Sequence, residues 1–183
     1  MKYLILVPAV AILIASCNNK EKISAPAAPA SVKEVTTVVP GKNYKTIKLG
    51  ILSPFAMDSA NPVNWNIANE DTTKFFRDYA KSQLAFTLTF SKDSACSFYD
   101  ASQKKTFTAK YSVDDDPKSG NDETKPGIKL RVQYKDSIEF GASKTPAEMT
   151  LTYLVRGINN NELLLETGNS FNDRKLVVWM KAE

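Results

Sequence analysis

The chain has 183 residues, 24 Lys and Arg against 20 Asp and Glu, two cysteines and no histidine. The missing histidine excludes Ser-His-Asp and Cys-His nucleophile systems, the usual near-neutral general base and every His-containing metal site. The net charge of +4 falls to +1 over residues 44–183, too little for the basic face that phosphate binding requires, so nucleic acid is not an expected partner.

The first segment is read as a targeting signal rather than as part of a fold. Lys2 supplies a positive n-region, and Leu4–Ala15 is an apolar run interrupted by Pro8, too short to span a bilayer. It ends in Ile14-Ala15-Ser16-Cys17. Small residues before a cysteine at this distance from the start resemble the bacterial lipobox. The resemblance implies cleavage after residue 16, acylation of Cys17, and a membrane partner reached through that lipid. The implied location is the cell envelope, lipid-anchored at the outer membrane.

Residues 17–43 read as a tether. Ser24-Ala25-Pro26-Ala27-Ala28-Pro29-Ala30-Ser31 is small and Pro-spaced, a composition that cannot bury a core of its own. Val35–Val39 is apolar enough to dock on the domain.

From residue 44 onward the hydrophobic period is two. Ile47, Leu49 and Ile51 alternate with polar or small residues, as do Leu84, Phe86, Leu88 and Phe90, then Phe107, Ala109, Tyr111 and Val113. Ile128, Leu130, Val132 and Tyr134 come next, and after them Met149, Leu151, Tyr153 and Val155. This is the signature of half-buried antiparallel strands. Further strands are expected near Ser97–Asp100, Glu162–Thr167 and Lys175–Lys181. Gly157-Ile158-Asn159-Asn160-Asn161 and Gly168-Asn169-Ser170 read as turns, Asn tolerating positive φ. A long excursion, Ser53–Ser82, separates the first two strands. It holds a short helix with Asp71 as N-cap, an apolar stripe of Phe75, Phe76 and Tyr79, and Arg77 and Lys81 toward its end.

These elements predict an all-β domain over 44–183: an antiparallel up-and-down barrel of about eight strands, with a two-sheet sandwich as the alternative. The hairpin Tyr153-Leu154-Val155-Arg156-Gly157-Ile158-Asn159-Asn160-Asn161-Glu162-Leu163-Leu164-Leu165 resembles that of the lipocalin-like lipoproteins of Bacteroidota. In lipocalins the first inter-strand loop is long and closes the cup. The first strand carries Leu49-Gly50-Ile51 in place of the Gly-x-Trp of true lipocalins.

Tyr111, Tyr134 and Tyr153 share an inward phase on three strands; with Phe86, Phe90 and Phe107 they line an apolar interior, filled or hollow. The excursion is expected to act as a lid on the barrel mouth with Trp65 as its ligand-side contact. Asp58-Ser59-Ala60, Asp93-Ser94-Ala95 and Asp136-Ser137-Ile138 resemble the acceptor pattern of Bacteroidota protein O-glycosylation, which implies sugars on Ser59, Ser94 and Ser137; Asx-turns are the alternative. The acidic run Asp114, Asp115, Asp116, Asp122 and Glu123 has Lys118 where a third calcium ligand belongs and reads as a solvated loop. With Cys17 acylated, Cys96 is the one free thiol, expected to be buried as a small hydrophobe.

The expectation is a non-catalytic, membrane-anchored binding module for a small apolar ligand, with no cofactor and no metal. Its rivals are an accessory lipoprotein that binds another envelope protein and a two-carboxylate hydrolase.

Overall fold

The computed structural model describes residues 25–52, 63–65, 81–116, 127–140, 143–171 and 174–183. One helix, α1 (Val32–Val38), precedes nine strands: β1 (Asn43–Leu52), β2 (Val63–Asn64), β3 (Thr87–Phe90), β4 (Ala95–Asp100), β5 (Lys105–Asp116), β6 (Gly127–Phe140), β7 (Ser143–Ile158), β8 (Glu162–Phe171) and β9 (Arg174–Ala182). Strands β3 to β9 pair in sequence order, β1 pairs with β3, and β1 also pairs with β9. Eight strands therefore close into an antiparallel up-and-down barrel, which settles barrel over sandwich. β2 adds only two residues to the outer end of β1, Ile51↔Asn64 and Leu52↔Val63.

Period-two patterning places the core. Leu88, Phe90, Phe98, Phe107, Ala109, Leu130, Val132, Tyr153, Val155, Leu163, Leu165, Val178 and Met180 point inward and form one cluster. Closure removes the exposed sheet edges that an open sheet of this size would present.

Several local expectations are corrected. A bulge in the β1–β9 ladder between Thr46 and Lys48 resets the alternation, so Ile47 is 49% exposed while Leu49 and Ile51 stay inside; an extra residue on one strand flips the phase. Leu84 precedes the second barrel strand instead of starting it and is 48% exposed; Ala85 and Phe86 donate to Ser82 and Gln83 carbonyls in a turn. Residues 168–170 lie within β8 and coincide with a ladder irregularity between Glu166 and Ser170, so they bend a strand and do not end it. No residue from Asn159 to Asn161 takes a positive φ. Asn159 turns that hairpin with its side chain, Oδ1 accepting from the backbone N–H of Asn161 at 2.9 Å and of Glu162 at 2.8 Å. The helix expected at Asp71 lies outside the described residues, apart from a helical turn at 81–84.

The largest correction concerns the tether. Ser31 caps α1 by accepting from Glu34 N–H, and Val35 and Val39 are fully buried in the barrel core. α1 therefore plugs one end. Gly41 and Phe90, and Phe90 and Lys42, exchange backbone hydrogen bonds at that end, and the Lys42 ammonium donates to the Asn160 carbonyl in the β7–β8 turn. Pro26 is buried as well, and the Ile158 amide donates to the Ala27 carbonyl at 2.9 Å. Among the described residues the packed unit thus reaches back to residue 26, into the segment expected to be tether. A Pro/Ala/Ser composition has no core of its own, but it can be held by one built elsewhere.

Candidate functional site

The end opposite α1 is the mouth, where the β4–β5 and β6–β7 hairpins turn. The barrel is not uniformly closed there. The β5–β6 ladder begins at Ala109↔Tyr134, so among the described residues Lys105–Thr108 pair only with β4, while Lys135–Phe140 pair only with β7. On its other side β7 pairs with β8 only from Tyr153 onward. The tip of the β6–β7 hairpin is thus a two-stranded ribbon, and its inward-phase residues leave the core. Ile138 is 38% exposed and Met149 37%.

Beneath the ribbon lies an aromatic floor. Phe98 stacks on Phe107 with centroids 5.0 Å apart and planes 18° apart. Tyr134 meets both edge-on, at 4.9 Å and 5.0 Å. Phe86 joins through Phe98 at 5.9 Å and touches Tyr153 at 6.4 Å. Offset and edge-to-face arrangements at these spacings are favourable. Phe90 and Tyr111 form a separate pair at 4.8 Å, extended by Tyr44 at 6.0 Å from Phe90, and this group belongs to the plugged end, where the Tyr111 hydroxyl meets the Ser91 carbonyl.

So Phe86, Phe107, Tyr134 and Tyr153 are brought together near the mouth, and Phe90 and Tyr111 are not with them. The rings pack on one another, as in a small barrel filled by its side chains. Phe98, central to the floor, is the residue that sequence reasoning missed; its strand was expected, and its direct ladder position opposite Phe107 was the missing step.

Trp65 is elsewhere. It packs on Trp179 with centroids 5.5 Å apart, in a second apolar cluster with Leu52, Leu164, Val177 and Val63. These residues alternate with core residues along β8 and β9, so the cluster lies on the outer wall. The Lys48 ammonium sits 5.2 Å from the Trp65 ring centre, and a Cβ on Gly50 would come within 2.8 Å of that ring. The lid assignment is therefore wrong for Trp65. Phe55, Phe75, Phe76 and Tyr79 lie outside the described residues.

A polar latch crosses the split between β5 and β6. Asp136 accepts from Lys105 Nζ at 3.4 Å and from Gln103 Nε2 at 3.5 Å. The Ser137 backbone N–H first, then these two side chains, hold its carboxyl below the ordinary range. The Lys105 ammonium also lies 4.2 Å from the Phe107 ring centre. Burial first, then Asp136 and Asp100, raise the Tyr134 hydroxyl above its usual value, so it is neutral and able to donate.

Other candidates resolve plainly. Asp114 and Asp116 are tied to Arg131 and Lys129, which uses their charge within the β5–β6 ladder. No group of three metal-ligating side chains gathers among the described residues. Cys96 is buried, and desolvation pushes its thiol up to about 11. Ser94 and Ser137 are exposed; Ser94 has φ 65°, and Asp93 Oδ1 accepts from Ala95 N–H at 3.4 Å, an Asx-turn. Ser59 and Cys17 lie outside the described residues.

Fold and site define an up-and-down β-barrel, plugged at one end and split at the other. No family model, no curated protein and no solved structure matches the chain. No helix among the described residues is long and apolar enough to cross a membrane.

Proposed function

We propose that this protein is a cell-envelope lipoprotein, acylated at Cys17, whose barrel is a non-catalytic binding module that takes a small apolar ligand at its mouth. The observation that carries the reading is the exposed inward face of the ribbon. Ile138 and Met149 stand unburied; Met149 is the ladder partner of Tyr134, and Ile138 lies two residues along the same strand from Asp136, which pairs with Lys105. Apolar side chains with a few polar groups among them are the usual lining of a small-molecule site. Because the floor is packed, the ligand sits across the mouth and not deep in the barrel.

The test has two arms. The mature protein from host membranes should begin at Cys17 and carry acyl mass, and Cys17→Ala should stay unprocessed or become soluble. Separately, a panel of fatty acids, sterols and quinones should include one that shifts the Tyr134 ring resonances saturably, and Ile138→Asp should abolish that response. No shift with any member, in protein whose fold is intact, removes the small-ligand reading.

A second reading is an accessory lipoprotein that binds another envelope protein. The ribbon favours it, since Lys135–Phe140 and the tip of β7 each have a strand edge with no ladder partner among the described residues, and such edges accept an added strand. The three Asp-Ser-apolar sites remain proposed glycosylation sites, tested by glycopeptide mass spectrometry on native material.

A further inference from the structure

The docked N-terminal segment constrains how the barrel stands on a membrane. Pro26 and Ala27 lie against the outside of β7 next to its plugged-end turn. The Ile158 amide donates to the Ala27 carbonyl at 2.9 Å. At Gly157 a Cβ would collide with the Pro26 carbonyl oxygen and lie 3.0 Å from its carbon and 3.1 Å from its ring, so the strap sits where only glycine leaves room for it. It continues without a break into the cap of α1, with the Ala30 amide held by Glu34 Oε2 at 2.7 Å, and α1 is fixed by the buried Val35 and Val39.

Nine chain links separate Cys17 from Pro26. At the longest backbone rise they span about 32 Å whatever their conformation. From Gly157 to Ser143 β7 runs fourteen residues, about 46 Å along the strand. With a barrel tilt near 40° that is about 35 Å of height. A lipid on Cys17 therefore reaches a bilayer beneath the plugged end with chain to spare, whereas a bilayer facing the mouth is beyond its full extension.

We propose that the strap sets the polarity of the anchored barrel: the end plugged by α1 is the face that meets the bilayer, and the mouth opens to the aqueous side. This rests on acylation at Cys17. It also restricts what the mouth takes to molecules or partners arriving through water; a lipid cannot pass directly upward from the anchoring leaflet.

The experiment uses acylated full-length protein in phosphatidylcholine vesicles carrying a headgroup-linked energy acceptor. Donor dyes are placed on N160C, in the β7–β8 turn, and S137C, on the ribbon, each alone. Transfer should be several-fold stronger from position 160. A Gly-Ser insertion doubling the chain between Ser24 and Ala25 leaves the barrel untouched and should erase most of that difference. Gly157→Val should do the same by displacing the strap, and amide exchange at Ile158 reports whether it has. Equal transfer from both positions, or stronger transfer from 137, in protein that floats with the vesicles overturns the polarity alone. Wild-type protein that carries acyl mass but shows a difference unmoved by the insertion also overturns the role of the strap. Protein that lacks acyl mass and does not float overturns the anchor, and the polarity with it.

Discussion

Trp65 and Trp179 lie against each other outside the barrel wall, ring centroids 5.5 Å apart and planes inclined by 52°. Trp179 alternates with Val178 and Met180, which face the core, so β9 is buried on both faces where the excursion returns to cover it. The indole N–H of Trp179 is buried with no partner among the described residues. Trp179→Ala should cost about 3–5 kcal/mol, in the range for a buried aromatic, and Trp65→Ala less. A double-mutant cycle should give a coupling of about 0.5–1.5 kcal/mol. Chemical denaturation measures all three. Additive losses would mean the two rings do not support each other.

The Asp136 latch has a definite pH sign. Its folded pKa lies below the ordinary value of 3.8, so its contribution is present above the unfolded pKa and is lost as pH falls through the lower, folded one. An NMR titration of Asp136 should therefore have its midpoint below 3.8. Asp136→Asn should leave global stability nearly unchanged, as exposed ion pairs do, yet speed amide exchange along Lys135–Ile138. A midpoint at or above 3.8 would show that the latch does not form.

Tyr44 is fully buried, its hydroxyl has no partner among the described residues, and desolvation pushes its pKa up to about 12. Leaving a buried hydroxyl unpaired costs about 1–3 kcal/mol. Tyr44→Phe keeps the ring contact with Phe90 and removes that cost, so it should raise stability by about 1 kcal/mol. Melting experiments decide it; a loss of similar size would mean that an internal water satisfies the hydroxyl.

Glu166 faces outward on β8 but is only 2% exposed, held between the Arg156 guanidinium and the Lys175 ammonium. Removing its charge takes an anionic partner from two cations that are themselves mostly covered. Glu166→Gln should cost about 2–4 kcal/mol, toward the lower side of the range for breaking a buried pair. Adding Arg156→Met should recover part of the loss, since the Arg156 charge then no longer lacks its partner. If the double variant is less stable than the single by the full cost of Arg156→Met alone, the pair is not coupled.

The residues by themselves determined the antiparallel all-β strands; that they close as a barrel and not a sandwich was decided by the β1–β9 pairing. Strict alternation in Phe107–Val113, Ile128–Tyr134 and Met149–Val155 leaves one apolar face per strand, and hairpins of these lengths bring successive strands together; Phe86, Phe107, Tyr134 and Tyr153 shared an inward phase on that ground alone. The charge count and the absence of histidine likewise bounded the chemistry before any fold was known. Only the tertiary structure decided where the phase breaks. Ile47 is turned out by a bulge that depends on how β1 registers with β9, a pairing between the two ends of the barrel that local pattern does not encode. It also separated the six aromatic positions into a floor at the mouth and a pair at the plugged end, because strand register, not phase, fixes height. Trp65 and the strap from Pro26 were misplaced for one shared reason. An apolar excursion and a Pro/Ala segment carry no period of their own, so what they cover depends on surfaces built by residues far along the chain: Trp179 for the one, Gly157 and Ile158 for the other.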